Sequence, residues 1–304
     1  MTVSPIYRKC RLCPRACEAD RLTGTGFCRQ GAYPRISGFG LHRWEEPCIS
    51  GKNGSGTVFF TGCTLACCYC QNYKISQQNL GYSLTPKELS RVFNHLQDIG
   101  AHNINLVSPT QFVPSVTEAL ELSGSYLKIP IVYNCGGYES LDTIKMLEDY
   151  VDIWLPDLKY FDDEKALRYS SCHNYFSTAV RAVERMQAVA GSPVYDSDGM
   201  MKSGVIIRHL VLPGMRKDSL SIFEALKERI PPKSVVVSIM SQYLPLHRAK
   251  SFKELSRRVF TYEYRYVLDG ILKLGFEGYS QDRESSCEDY IPEFTDSKPD
   301  FDRL

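Results

Sequence analysis

The sequence predicts an α/β protein in which about six β–α units follow a short cysteine-rich segment. Strand-like and helix-like segments alternate from residue 57 to residue 274, which is typical of a parallel sheet covered by helices. The 304 residues are 43% hydrophobic and 23% charged, an ordinary globular composition that can form a large core. Nine of the 12 cysteines fall within the first 70 residues, so thiol groups are concentrated in this part of the chain.

Each β–α unit has its own sequence signal. In the first predicted helix, apolar residues recur at helical spacing from Leu89 to Leu96, and Thr85 stands in the N-cap position. The later units repeat the alternation of a short apolar run and a longer amphipathic stretch. The predicted strands cover residues 57–60, 103–107, 129–133, 151–155, 204–212 and 235–240. The predicted helices cover residues 86–98, 113–122, 141–149, 175–190, 220–229 and 262–274.

Composition divides the chain into three parts. Residues 1–50 are predicted to form a cysteine-rich, metal-binding segment, and residues 51–280 contain the β–α units. Residues 281–304 are acidic, contain proline and are expected to form a surface tail.

Charge and hydropathy exclude several classes of protein. Lys and Arg number 36 against 35 Asp and Glu, and this net charge of +1 argues against nucleic acid or an anionic membrane as a partner. No apolar stretch of about 20 residues is present, so no transmembrane helix is expected. The first residues lack the apolar core of a signal peptide. We therefore expect a cytoplasmic protein.

The spacing Cys63-x3-Cys67-x2-Cys70 is the most informative motif. Three close thiolates can hold a [4Fe–4S] cluster and leave one of its irons open for chemistry, since such a cluster normally takes four thiolates. Two alternatives stay open from spacing alone. Cys68 could replace Cys67 in the set, and the site could be a zinc site completed by a distant His or Cys.

A second set of cysteines precedes the first. Cys10-x2-Cys13-x3-Cys17-x10-Cys28 offers four thiolates, and in a reducing compartment such a cluster indicates metal binding rather than disulfides. Four ligands without an open position are typical of structural zinc. The same four could hold an auxiliary [4Fe–4S] cluster for electron relay, and the spacing does not decide between the two.

Polar segments follow the predicted strands. They lie at residues 108–111, 134–138, 157–159, 208–209 and 241–243. Because barrels and partial barrels place their chemistry on the loops at the carboxyl ends of the strands, these segments are expected to surround one cavity.

The segment from Gly56 to Asn72 resembles the signature of radical S-adenosylmethionine (SAM) enzymes. That signature is C-x3-C-x2-C with an aromatic residue before the last cysteine, where Tyr69 stands here. Over residues 7–292 the chain resembles poorly characterised relatives of pyruvate formate-lyase activating enzyme, through residues 10–17, 42–47, 71–76 and 157–159.

This resemblance implies a fold, two cofactors and a reaction. The fold would be a partial (β/α)6 barrel over residues 51–280, in agreement with the six units. Cys63, Cys67 and Cys70 would hold a [4Fe–4S] cluster whose fourth iron is chelated by the amino and carboxylate groups of SAM. Reduction by a donor such as flavodoxin or ferredoxin would cleave SAM to methionine and a 5′-deoxyadenosyl radical, which abstracts a hydrogen from a substrate.

The resemblance leaves the substrate open. The leading hypothesis is an activase that acts on a protein substrate, a glycyl-radical enzyme like pyruvate formate-lyase. The alternative is radical modification of a small molecule or a peptide residue without a stored radical. A third hypothesis is a non-catalytic metal-binding or redox-sensing protein.

The resemblance also implies cofactor-binding residues, which we assign from the family by their positions in this sequence. Tyr69 is a candidate for packing on adenine, and Ser108 and Thr110 occupy the place of a Gly-Gly-Glu-like segment that binds the SAM amino group. The competing interpretations are that Tyr69 is a core aromatic residue, that the residues after the strands form turns, and that Asp157 and Lys159 form an ion pair that closes the barrel. The remaining candidates for SAM or substrate are Asn134, Asp157, Lys159 and Arg208, with His209 as the alternative to Arg208.

Overall fold

The structure, a computed structural model, describes residues 4–281 and 292–301. Residues 282–291 and 302–304 of the predicted tail, including Cys287, lie outside the described residues. The strands of the described residues are β1 (Arg35–His42), β2 (Ser55–Phe60), β3 (Tyr82–Ser83), β4 (Ile104–Val107), β5 (Ile131–Cys135), β6 (Ile153–Pro156), β7 (Val194–Tyr195), β8 (Met201–Leu210), β9 (Val236–Met240) and β10 (Gly278–Ser280). The α-helices are α1 (Pro47–Ser50), α2 (Tyr73–Ser76), α3 (Pro86–Asp98), α4 (Val113–Ser123), α5 (Leu141–Leu147), α6 (Asp163–Ser170), α7 (Tyr175–Ala190), α8 (Arg216–Lys227) and α9 (Thr261–Lys273).

One sheet organises the fold. Its strand order is β10-β9-β8-β6-β5-β4-β2-β1-β3, and β7 pairs with β8 at the side. The strands from β2 to β10 along this order are parallel neighbours, whereas β1 runs antiparallel to both β2 and β3. Within the described residues no pairing joins β10 to β3, so the sheet is a partial, open barrel. The predicted α/β class with a partial barrel is confirmed.

The six predicted strands correspond to β2, β4, β5, β6, β8 and β9. Sequence analysis missed β1, β10 and the two-residue strands β3 and β7. The sequence of β1, RISGFGLH, contains two glycines, which weaken a strand signal. The strand β10 has three residues at the edge of the sheet, too few for a recognisable pattern.

Alternate residues of the parallel strands face opposite sides of the sheet. On the outer side, residues such as Trp154 and Tyr133 pack with the helices in the main hydrophobic core. The other side, the inner face, carries a separate apolar cluster that includes Val132, Leu155 and Ile206. The next inner-facing positions toward the carboxyl ends of the strands are polar, and they line a cavity.

The short helix α1 closes the bottom of the inner face. Cys48 and Ile49 of α1 belong to the same apolar cluster as the inner-facing strand residues. The segment that connects β1 to β2 therefore passes through the barrel interior rather than around its edge. This placement brings the residues before α1 directly under the cavity.

The described end of the chain, residues 292–301, packs against β1 and β2. The Thr295 backbone N–H donates to the Ser37 carbonyl at 2.9 Å. The rings of Phe294 and Phe59 meet edge-on with centroids 5.5 Å apart. No helix within residues 4–281 and 292–301 is both long and apolar enough to span a membrane.

Candidate active site

The three cysteines of the motif lie on the loop that leaves β2. Gly62 begins this loop with φ +83°, and a Cβ there would stand 2.6 Å from the carbonyl oxygen of Cys28. Only glycine accommodates both the left-handed backbone and this close approach. The turn directs the following thiols toward the carboxyl ends of the parallel strands.

Each thiol of the motif has a hydrogen-bonding neighbour. The Ser170 hydroxyl donates to the Cys67 Sγ at 2.9 Å, and the Leu65 backbone N–H donates to the Cys63 Sγ at 3.4 Å. The Cys70 Sγ lies 3.3 Å from the hydroxyl of Ser76. Such contacts orient thiolate ligands of a metal centre.

Cys67 and Cys70 line a cavity of about 680 Å³, and Cys63 lies beside them in electrostatic contact with both. Burial raises the pKa of the Cys70 thiol to about 11, and the nearby Lys159 offsets part of this rise. A cationic metal centre would favour the thiolate form of such buried thiols. Three thiols on one loop at the edge of a cavity fit a cluster with an open iron.

Cys68 faces a different environment. Its side chain is 3% exposed and belongs to the main hydrophobic core, and it does not line the cavity. Its backbone is fixed on both sides, since its N–H donates to the Tyr169 carbonyl at 2.7 Å and its carbonyl accepts from the Arg248 N–H at 2.8 Å. The geometry therefore favours Cys67 over Cys68 as a ligand.

Tyr69 lines the cavity, and its hydroxyl begins a chain of hydrogen-bonded hydroxyl groups. Its hydroxyl lies 2.6 Å from that of Tyr160, which in turn lies 2.7 Å from the hydroxyl of Ser170. Because Ser170 donates to Cys67, this chain ends on a sulfur of the motif. Sequence analysis did not identify Tyr160 or Ser170, whose roles depend on contacts with residues about 100 positions earlier.

Four predicted residues from the strand ends also meet at this cavity. Arg208 is their centre: its Nη2 donates to the Asn134 Oδ1 at 2.6 Å and its Nε donates to the Asp157 Oδ1 at 3.2 Å. The Lys159 ammonium donates to the other Asp157 oxygen at 2.5 Å. Burial would raise the pKa of Asp157, but Lys159 and Arg208 outweigh burial and hold this pKa below its ordinary value. Asp157 is thus a partly buried carboxylate between two cations.

Ser108 and Thr110 do not line the cavity. The Thr110 hydroxyl donates to the Glu139 carboxylate at 2.9 Å and accepts from the Tyr133 hydroxyl at 3.2 Å. Ser108 adopts φ +56°, and its backbone N–H donates to the Asn134 carbonyl at 2.8 Å. Ser108 therefore contacts the candidate Asn134 through its backbone, and the hydroxyl of Thr110 bonds to Glu139 and Tyr133.

The residues before α1 form the floor of the cavity, which sequence analysis did not assign to the site. The Glu45 carboxylate accepts from the Arg208 Nη1 at 3.0 Å. Glu46 lines the cavity at 7% exposure, and its Oε2 has no hydrogen-bond partner among the described residues. Burial raises the pKa of Glu46, with the cation Arg208 acting against that rise. The one sequence signal for this floor was the resemblance of residues 42–47.

An open α/β barrel with three loop cysteines beside a polar cavity defines a class of iron–sulfur barrel enzymes. The family model of the radical SAM superfamily matches residues 57–241. The chain therefore belongs to the radical SAM superfamily, and this family implies a [4Fe–4S] cluster and SAM as cofactors.

One curated relative and two solved structures illustrate what the chain is similar to. An uncharacterised protein of Methanocaldococcus jannaschii is 32% identical over 270 residues, which cover 85% of this chain and 72% of the relative. The fold is similar to SuiB of Streptococcus suis, with a TM-score of 0.50, 12% identity and coverage of 73% of this chain and 47% of SuiB. It is also similar to anSMEcpe with bound AdoMet, with a TM-score of 0.50, 15% identity and coverage of 78% and 62%. The chain thus spans less than two thirds of these two solved structures.

Proposed function

We propose that this radical SAM enzyme removes a hydrogen atom from a substrate held in the cavity beside Cys67 and Cys70. The observation that carries the proposal is that these two thiols share one cavity with the charged residues of the strand ends. When bound, the cluster and SAM supply reductive cleavage of the sulfonium and a 5′-deoxyadenosyl radical. The residues of the chain bind and orient SAM and the substrate and shield them from solvent.

The charged residues at the strand ends match the two charged groups of SAM. SAM has an amino group and a carboxylate, and the strand ends offer both a carboxylate, Asp157, and two cations, Lys159 and Arg208. Their mutual ion pairs fix them before a ligand arrives, so little side-chain ordering remains to oppose binding. The apolar cluster below, with Cys48 and Ile49, closes the inner face at its bottom.

The sequence resemblance supports a protein substrate. This substrate would be a glycyl-radical enzyme, which is activated when a hydrogen is removed from one of its glycines. Electrons would come from a small one-electron donor such as flavodoxin or ferredoxin. Formation of a glycyl radical on the partner protein would be detected by electron paramagnetic resonance (EPR).

A second candidate function is modification of a small molecule or a peptide residue. The observation that favours it is Glu46, a buried carboxylate on the cavity floor with one unpartnered oxygen. A buried carboxylate is costly without a partner, and a positively charged or hydrogen-bond-donating substrate group would supply one. This candidate predicts a stable product for each SAM consumed.

The test is reductive cleavage of SAM under anaerobic conditions. The protein is reconstituted with iron and sulfide, reduced and supplied with SAM, and 5′-deoxyadenosine is measured. We expect product that depends on the reductant and is absent in Cys63→Ala but present in Cys172→Ala, a buried cysteine outside the motif. A reconstituted, SAM-binding protein without 5′-deoxyadenosine would refute the proposal.

A further inference from the structure

We propose that the outer side of the motif loop, the loop that leaves β2, is the docking surface for an acidic one-electron carrier protein. The surface, which we call the rear patch, consists of Arg29, Lys74, Arg248 and Lys250. This role rests on the proposed function, because reductive cleavage of SAM consumes one electron. It adds the place on the molecule where that electron enters.

Three segments of the chain meet on the outer side of the motif loop. Residues 28–30 adjoin residues 73–79, where the Gln30 Nε2 donates to the Asn79 Oδ1 at 2.5 Å. Residues 244–251 adjoin the same stretch, where the rings of His247 and Tyr73 stack with centroids 4.8 Å apart. The lining of the cavity contains none of these three segments. The rear patch is therefore separate from the place where SAM and substrate would bind.

Arg248 and Gln77 connect this surface to the motif cysteines. The Arg248 backbone N–H donates to the Cys68 carbonyl at 2.8 Å, and its Nη2 donates to the Ala66 carbonyl at 3.2 Å. The same Nη2 donates to the Gln77 Oε1 at 3.2 Å, and the Gln77 Nε2 donates to the Cys67 carbonyl at 2.9 Å. Arg248 is exposed and Gln77 is buried. One side chain thus separates a surface cation from the backbone of a motif cysteine.

The rear patch carries positive charge that acidic side chains do not neutralise. Its four cations are exposed, and none of them forms an ion pair with an acidic side chain that the structure describes. The chain around them contains no Asp or Glu over residues 21–44, 47–87 and 229–253, although acidic and basic residues are balanced in the whole sequence. The next acidic residue, Glu254, pairs with Arg168 at 2.8 Å.

Two of these cations act on one ring. Burial lowers the pKa of His247, and the charges of Arg248 and Arg29 lower it further, so both cations lie near this imidazole. The amino-terminal segment and the segment after β9 therefore contribute positive charge to the same surface.

This charge fits an acidic partner. Complementary charge steers encounter and raises association rates, and interfaces for electron transfer are small because the complex must also dissociate. In the docked complex one electron would pass from the reduced flavin or iron–sulfur centre of the carrier to the cluster. The carrier is oxidised and the cluster reduced by one electron, and no bond forms or breaks.

The test uses the reconstituted full chain with an acidic flavodoxin and, in parallel, an acidic ferredoxin. The variant R29E/K74E reverses two charges of the rear patch. The matched control K52E/K128E reverses two exposed charges just before β2 and β5, at the opposite ends of these strands from the motif loop. Calorimetry gives the Kd for the carrier, and stopped-flow absorbance gives the rate of cluster reduction without SAM.

We expect R29E/K74E to weaken binding and slow reduction by the carrier about tenfold at low salt, and to differ less from wild type at high salt. The control should keep the wild-type values. Both variants should keep their iron content and their rate of reduction by dithionite, a small chemical reductant.

Four results would overturn the proposal. They are a wild type that binds neither carrier, unchanged binding and reduction in R29E/K74E, an equal loss in the control, and a loss in R29E/K74E that persists with dithionite. The proposed function is read separately, from 5′-deoxyadenosine formed with dithionite as the sole reductant. A chain that binds the carrier and accepts its electron but forms no 5′-deoxyadenosine would refute the proposed function and leave the docking surface in place.

Discussion

The assignment of Cys67 rather than Cys68 to the cluster predicts opposite outcomes for two adjacent substitutions. Cys67→Ala should abolish SAM cleavage, because the sulfur that faces the cavity and accepts from Ser170 is lost. Cys68→Ala should keep SAM cleavage, because this side chain packs in the main core away from the cavity.

The structure sets the size of the second effect. Removing the sulfur of Cys68, a side chain 3% exposed, leaves a small cavity, and deletions of this size cost about 1 kcal/mol of unfolding free energy. For a chain of this length that corresponds to roughly 2 °C in Tm. The backbone hydrogen bonds to Tyr169 and from Arg248 do not involve the side chain and should remain.

The assay compares both variants under the same conditions. Iron content, Tm and 5′-deoxyadenosine are measured after anaerobic reconstitution. We expect Cys67→Ala to lose about four iron ions per chain and all product, and Cys68→Ala to lose neither. Loss of the cluster in Cys68→Ala with retention in Cys67→Ala would refute the assigned ligand set.

Four further substitutions test the charges around the cavity and behind it. Arg208→Met should cost about 2 kcal/mol of unfolding free energy in urea, because it leaves two partly buried carboxylates without this cation, and adding Glu45→Gln should recover part of the loss. Glu46→Gln should raise the unfolding free energy by about 1 kcal/mol and lower substrate turnover while reductive SAM cleavage continues; unchanged turnover would remove Glu46 from the site. Burial raises the pKa of Glu139 from 4.5 to about 7, so the folded protein binds a proton that the unfolded chain releases, and stability falls as the pH rises between these values. Glu139→Gln should remove about 3 kcal/mol of this pH dependence, and parallel unfolding curves of wild type and variant from pH 4 to 8 would contradict it.

Local patterns predicted most of the fold. A strand such as β6, whose four residues are all buried, appears in the sequence as a short apolar run, and the alternation of such runs with amphipathic helices indicates a parallel sheet. The motif Cys63-x3-Cys67-x2-Cys70 predicted the superfamily because its ligands are close in the chain as well as in space.

The parts that sequence analysis missed depend on contacts between distant residues. Thr110 follows a strand like the other candidates, yet its hydroxyl binds Glu139, 29 positions later, instead of facing the cavity. The floor of the cavity was missed because α1 has only four residues, and the apolar cluster that holds it inside the barrel comes from strands far along the chain. Periodicity reports which residues are buried, but not which side of the sheet a short connecting segment occupies.

The charges of the cavity wall bear on how the proposed site would bind both SAM and a substrate. Arg208 and Lys159 are already neutralised by Asp157 and Glu45, so these four groups are positioned in the absence of any ligand. These preformed ion pairs suit a cofactor that carries a positive and a negative charge at one end, because the side chains need little rearrangement to bind it. Glu46 differs from them, since one of its oxygens remains without a partner although the side chain is buried. An unsatisfied buried group of this kind lowers the stability of the free protein and is retained where a ligand completes it. Under the proposed function we therefore expect the substrate group to contact Glu46 on the floor of the cavity, and SAM to contact Arg208 on its wall.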